Sequence, residues 1–475
     1  VIYPDINFRP TLKVLTEEQI AELHSATLEV LERVGVRLTH PKAREVLAGA
    51  GARISGDRAR IPAWLVDNAI RAAPHRLVLG KRNGERSVVL EGSKYYYGPS
   101  LDCIEYLDPV TYERRPFTAD DCRITSTVCD ALPNYTWAMT IGMAADCPAN
   151  TADRFIVKQV LTYTEKPLVF CCKDTQSVSD IYDMALLVTG GEERFRQAPN
   201  IVMYGEPVSP LTHFDPAMDK LVYCVERGIP VLYYPGAMMG GTAPMSLAGA
   251  IVQASAESLS GIVVGQLLRP GAPMIYGAAV GPMEMQTTIF PYGAPELPLA
   301  VAALAQLAQS YGLPFFGFGG ATDAKFPDAQ AGIEAAFQLT TQALSGANLI
   351  HDCGWMDHGC IASPSYMVLV HDITQMVDSF ARGVPINHES LALELIEKAG
   401  PGGHYLSEEH TLQHFREMFY SRIFDRTIKD DWIARGSKRL EDRLRDATEK
   451  AMQHQPAALP PEVLSELERM SATWR

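Results

Sequence analysis

A TIM (β/α)8 barrel of the α/β class is the fold this sequence predicts, and three observations predict it. Eight short apolar runs follow one another between residues 95 and 352. An amphipathic helical pattern fills the interval after each run. One run, Phe315 to Phe318, stops at Gly319-Gly320 and hands Thr322, Asp323, Lys325 and Phe326 to a loop before the next helix. Parallel α/β proteins build active sites at such strand-to-loop transitions. A doubly wound open sheet is the alternative, but no G-x-G-x-x-G opens a first helix.

The elements read as follows. Residues 1–90 form an N-terminal helical extension. Thr16 followed by Glu17, Glu18 and Gln19 starts a helix, and Leu23, Ala26, Leu28 and Leu31 recur at helical spacing as far as Gly35. A second helix follows His40-Pro41 and a third begins near Pro62, with residues 51–60 as a connector or small hairpin. The barrel occupies 91–384, with strands expected at 95–98, 136–143, 168–173, 201–204, 231–234, 274–277, 315–318 and 349–352. Past Gly383-Val384-Pro385 the strands stop. Residues 385–475 are a C-terminal helical extension with a charged, solvated face and a function in packing or oligomer formation.

Composition removes several classes of function. The chain has 475 residues, 47% of them apolar and 21% charged, which suits a globular protein with a large core. A formal charge of −14 and the absence of any basic run argue against nucleic acid, whose phosphates need cations. No apolar run is expected to reach the roughly 18 residues of a membrane span, and the first residues lack a secretion pattern, so a cytoplasmic protein with no membrane partner is expected. Nine scattered cysteines fit free thiols better than a disulfide framework. No G-x-S-x-G, no G-x-x-x-x-G-K-[ST] and no H-E-x-x-H is present, so hydrolase, kinase and zincin chemistry lack support.

In a barrel the functional side chains sit at the C-terminal strand ends. Aromatic residues crowd those ends, among them Tyr97, Phe318, Phe326 and Trp355. Most will pack as core, but a few facing one mouth would form a cage for a quaternary ammonium. Glu257 lies inside an otherwise apolar helix, where a charge needs either a partner or a pocket. His351, Cys353, His358 and Cys360 fall within ten residues, but their spacing is not that of standard zinc sites. No metal site is expected, and His351 and His358 read instead as hydrogen-bond donors to a substrate. Zinc binding by this cluster remains the alternative.

Three stretches carry a resemblance: 240–277 (GGTAPMSLAGAIVQASAESLSGIVVGQLLRPGAPMIYG), 319–332 (GGATDAKFPDAQAG) and 400–417 (GPGGHYLSEEHTLQHFRE). They resemble the trimethylamine methyltransferase family, barrel enzymes that pass a methyl group from an amine to a corrinoid protein, and the resemblance covers nearly the whole chain. The family's trimethylamine enzymes carry pyrrolysine in the loop matching Asp323-Ala-Lys325, at or beside Phe326. This chain has no pyrrolysine, so it is similar to the non-pyrrolysine branch. That implies a quaternary amine as methyl donor, glycine betaine first among them, since such a cation leaves as a neutral amine without activation; the alternatives are a zinc-dependent methyltransferase acting on another methyl donor, a methylamine-type substrate, and a betaine-binding protein without catalysis. It also implies roles: Tyr97, Phe318, Phe326 and Trp355 as the cage, Glu257 and Asp323 as catalytic charge balance, and Lys325, His351 and His358 as donors to a carboxylate. No Asp-x-His-x-x-Gly is present, so no cofactor is expected to bind tightly; the corrinoid would arrive on a separate protein docking over the mouth. A homo-oligomer is expected on the same grounds.

Overall fold

The computed structural model describes residues 6–474. Its centre is a ring of eight parallel strands: β1 (Tyr96–Tyr97), β2 (Ala138–Met139), β3 (Leu168–Phe170), β4 (Ile201–Gly205), β5 (Val231–Tyr233), β6 (Met274–Gly277), β7 (Phe315–Phe318) and β8 (Leu349–His351). Each pairs in parallel with the next, and β8 pairs with β1. A bridge between Tyr97 and Tyr135, with Thr136 N–H donating to the Tyr97 carbonyl at 3.0 Å, closes the ring. Closure in chain order makes this a TIM barrel.

Eight helices follow the strands: α1 (Ala119–Ala131), α2 (Ala152–Tyr163), α3 (Thr175–Thr189), α4 (Asp215–Arg227), α5 (Leu247–Leu268), α6 (Glu296–Tyr311), α7 (Ala329–Ser345) and α8 (Pro364–Ala381). Local chemistry marks their starts. Thr118 and Asp121 form a capping box on α1, and the Asp174 and Asp328 side chains cap α3 and α7. The α5 helix presses close to β5 because Gly261 has no side chain; a Cβ there would lie 2.2 Å from the Tyr233 ring.

Side chains alternate in and out along each strand. Trp137, Met139, Val169, Val202, Tyr204, Leu232, Tyr234, Ile275, Phe316 and Leu349 fill the interior. A hairpin of two strands, Leu77–Gly80 and Arg86–Leu90, adds Leu77, Leu79, Val88 and Leu90 to the same core. Gly80 N–H donates to the Pro199 carbonyl and Arg82 N–H to the Glu165 carbonyl, both just ahead of strands, so the hairpin plugs the N-terminal end of the barrel.

Ahead of the hairpin, helices Glu17–Glu29, Pro41–Gly49 and Ala63–Ala72 pack largely on α5. The first begins at Thr16 with a full capping box to Gln19. Strands Arg53–Ser55 and Arg58–Arg60 make the small hairpin expected at 51–60. Beyond the barrel, helices Leu440–Met452 and Pro461–Ser471 pack on α1, α8, α2 and α3.

Two expectations need correction. The strands do not stop at Gly383: Val384–Ile386 pairs antiparallel with Ile6–Phe8, tying the segment after the barrel to an early strand. And α5 does reach the length and hydropathy of a membrane span, with a mean hydropathy of 1.5. It is apolar all round because it is a core helix, with 78% of its most apolar window buried inside the fold.

Candidate active site at the barrel mouth

At the C-terminal ends of the strands lies a cavity of about 400 Å³. Two small sheets wall it: Gly236–Met239 beside Ala279–Pro282, and a four-stranded sheet that includes Glu105–Leu107 and Trp355–Met356. Other clefts, such as that among Glu17, His24, Asp67 and Tyr311, lie between helices away from the strand ends.

Aromatic rings form most of the apolar lining. Tyr204 and Tyr234 reach the mouth from β4 and the end of β5, Phe318 from β7, and Phe290 and Tyr292 from the loop after β6. Tyr292 stacks on Phe318 at 5.4 Å between centroids and lies 4.8 Å from Trp355. Tyr234 meets His351 edge-on at 5.4 Å. Gly277 makes room for this arrangement, since a Cβ there would lie 2.6 Å from the Phe316 carbonyl and 2.9 Å from the Tyr234 ring.

Three carboxyl groups share the same lining: Asp102, Glu206 and Asp352. Asp102 and Asp352 hold left-handed backbone, with φ of 58° and 70°. Aspartate tolerates that conformation better than most residues, and it concentrates at functional sites. Surrounding protein raises the Asp102 carboxyl to about 6 against the pull of Cys171 and Lys220. The same desolvation, helped by the Asp102 charge, raises Glu206 to about 7. Both groups nonetheless open onto water in the mouth, which tempers the shifts. Asp352 is 1% exposed, and burial, with the Asp102 charge adding to it, pushes its carboxyl well above the usual range and favours its neutral form.

Several polar atoms here are buried and unpartnered: both Asp352 oxygens, the Tyr234 hydroxyl and the Trp355 Nε1. His351 Nε2 comes within 3.2 Å of Asp352 Oδ2, without the angle of a hydrogen bond. Orphaned buried polar groups are costly, by about 1–3 kcal/mol each, and a ligand in the mouth would offer these atoms partners.

The residues singled out from sequence divide in two. Phe318, His351 and Trp355 line the mouth. Six others do not. Tyr97 faces outward, and its hydroxyl donates to Asp378 at 3.1 Å; its neighbour Tyr96 packs against the interior core. Phe326 is 47% exposed and packs edge-on to Tyr112 at 6.2 Å. Glu257 is fully buried and accepts from the Ser209 hydroxyl at 2.6 Å, Leu211 N–H at 2.8 Å and Gln253 Nε2 at 2.9 Å, so it fastens the loop after β4. Asp323 accepts from Tyr292 N–H at 2.8 Å, Gly293 N–H at 2.9 Å and His358 Nδ1 at 2.9 Å. Lys325 donates to the Asp323 carbonyl at 2.8 Å and pairs with Asp357 at 3.2 Å. Asp323 therefore acts behind the mouth as a positioning residue that holds Tyr292 in the wall, with His358 and Lys325 buttressing it.

His351 lines the mouth with a polarity opposite to that expected. Its Nδ1 lies 2.5 Å from the Gly317 carbonyl, which only accepts, so Nδ1 carries the proton and Nε2 presents a lone pair. Burial lowers the ring to about 3, and it stays neutral. It is an acceptor toward the cavity, not a donor to a carboxylate. Of the possible zinc ligands, His358 turns to Asp323 and Cys353 Sγ to the Gly319 carbonyl. Among the described residues no three metal-ligating side chains converge.

Sequence reasoning assigned no role to Asp102, Glu206, Tyr204, Tyr234 or Tyr292. Glu206 and Tyr234 stand at expected strand ends and were within reach of the pattern. Asp102 lies beyond β1, and Tyr292 sits in a loop without periodicity.

A barrel whose mouth joins aromatic walls to carboxyl groups has the chemistry to hold a small organic cation. The chain belongs to the trimethylamine methyltransferase family: the family description "Trimethylamine methyltransferase (MTTB)" matches residues 3–473. It is 31% identical to a trimethylamine methyltransferase of Desulfitobacterium hafniense (strain DSM 10664 / DCB-2) over 86% of this chain and 82% of that protein. It is 28% identical to a glycine betaine methyltransferase of Desulfitobacterium hafniense (strain Y51) over 98% of this chain and 97% of that protein. Among solved structures, the monomethylamine methyltransferase of Methanosarcina barkeri is similar with a TM-score of 0.46 and 11% identity, covering 91% of this chain and 92% of that one.

Proposed function

We propose that this protein transfers a methyl group from a quaternary amine to the Co(I) of a corrinoid carried by a separate protein. The observation that carries this reading is the mouth itself, where aromatic faces and carboxyl groups surround a space of about 400 Å³ among unpartnered buried polar atoms. Family membership supports the reaction class. In the displacement the C–N bond breaks with its electron pair going to nitrogen, and a neutral tertiary amine leaves. A C–Co bond forms from the cobalt pair.

This chain's residues have three tasks in that step. Tyr204, Tyr234, Tyr292, Phe318 and Trp355 replace water around the cation, each favourable contact worth about 0.5–2 kcal/mol. Asp102 and Glu206 add negative potential that holds the charged reactant. The walls orient one methyl group toward the open end, where a partner must dock. The lost positive charge needs no acid here, which fits a chain without pyrrolysine. A space this small suits an amine but not a corrin ring, in keeping with a cofactor that stays on its own protein.

The test is spectroscopic. The purified protein, a reduced cognate corrinoid protein and a quaternary amine should convert Co(I) to methyl-Co(III). If no quaternary amine drives the conversion, the reading fails.

We also propose a homo-oligomer. Between residues 388 and 434 no helix contributes a buried residue, yet Leu393, Ile396, Leu406, Leu412, Met418 and Ile428 are exposed. An apolar arm of this kind is covered in stable assemblies. Light scattering should give a multiple of 52.1 kDa; a monomer at micromolar concentration overturns it.

A further inference from the structure

The residues around the cavity are unequal in charge. Three carboxyl groups line it, and among the described residues that line it none is a lysine or an arginine. Two ammonium groups outside the lining have other partners, although Lys220 still pulls on the Asp102 and Glu206 carboxyls. Lys220 donates to the Cys172 carbonyl at 2.7 Å, and Lys325 is held by the Asp323 carbonyl and Asp357. His351 is neutral and turns a lone pair to the cavity. The polar atoms that lack partners are the Tyr234 hydroxyl, the Trp355 indole N–H and the Asp352 carboxyl, whose neutral form burial favours. Tyr234 and Asp352 are 2% and 1% exposed, so no bulk water stands in for a ligand there.

A zwitterion such as glycine betaine carries its carboxylate within a few bonds of nitrogen. Placing the ammonium among these rings brings that carboxylate toward Asp102 and Glu206, with no lysine or arginine in the lining to receive it. Like charges a few ångströms apart in a partly desolvated mouth repel strongly. A hydroxyl brings no such conflict. It can donate to His351 Nε2 or Asp352 and accept from Tyr234 or Trp355.

Resting on the methyl-transfer reading above, we propose that the mouth selects quaternary ammonium ions whose only other polar group is neutral. Choline, an alcohol, and tetramethylammonium, with no second group, represent that class. Asp102 and Glu206 are the residues that discriminate against a carboxylate.

Calorimetric titration of the wild-type protein with choline, tetramethylammonium and glycine betaine tests this directly. Choline and tetramethylammonium should bind at least about tenfold more tightly than glycine betaine. In Glu206→Gln and Asp102→Asn, both isosteric and both open to the mouth, choline should weaken and the gap to glycine betaine should narrow. Glycine betaine binding as tightly as choline, or a gap that neither variant moves, overturns the inference. The wild-type comparison alone decides the first point, so a variant that folds poorly does not rescue it. Methyl transfer to cobalt separates the two levels. Transfer from glycine betaine as efficient as from choline sinks the substrate class and leaves the reaction standing, whereas transfer from none of the three sinks both.

Discussion

Two polar clusters sit side by side at the C-terminal end of this barrel, and they differ in one respect. Around Asp323, every main group is paired: with Tyr292 and Gly293 N–H, with His358, and through Lys325 with Asp357. Around Asp352, the carboxyl, the Tyr234 hydroxyl and the Trp355 Nε1 have no partner. A satisfied cluster has its geometry determined by the fold and serves as scaffold. An unsatisfied buried cluster carries a cost that a bound ligand can offset. The pairing state, more than the residue types, separates support from site.

Substitutions can break or sharpen that contrast. The largest expected effect is on the scaffold side. Glu257→Ala strands the Ser209, Leu211 and Gln253 donors in a buried place and should lower stability by about 3 kcal/mol, measured by urea unfolding. Asp323→Ala should cost roughly 2 kcal/mol and weaken amine binding indirectly by freeing Tyr292. Unchanged stability in both would erase the distinction between support and site.

On the mouth side, Trp355→Ala should reduce kcat/KM for methyl transfer by about thirtyfold, equivalent to roughly 2 kcal/mol of lost cation contact and orientation. Far-UV circular dichroism should be unchanged, and a rate within twofold of wild type would remove Trp355 from the cage. A smaller effect comes from pH. A permanently charged amine favours ionised carboxyls, so its affinity should rise as pH passes through about 6 and about 7, where Asp102 and Glu206 lose their protons. The Asp102 charge acts on Glu206 and on Asp352, Lys220 acts on both Asp102 and Glu206, and Cys171 donates to Asp102. Affinity that falls with pH would contradict the assignment. The smallest effect belongs to Phe326→Ala. That ring is outside the mouth, so amine affinity should change less than about twofold.

Sequence alone determined the barrel, because buried parallel strands must be short apolar runs and the intervening helices must show one apolar face. All eight strand positions were legible for that reason, as was the Thr16 helix start. The resemblance in 240–277, 319–332 and 400–417 identified the family. It did not decide which side chains meet. Strand period is two, so a one-residue change of register exchanges Tyr96 for Tyr97, and both are tyrosine. Glu257 and Glu206 are each a lone acid near a strand or helix of apolar residues. Only the folded chain shows that Ser209, Leu211 and Gln253 satisfy the first, while the second opens onto the mouth beside Asp102. Tyr292 enters the site because Asp323, some thirty residues away in sequence, holds its backbone. Periodicity reports what a segment buries; partners distant in sequence decide what is left unpaired, and that residue of unmet hydrogen bonds and charge defines the site.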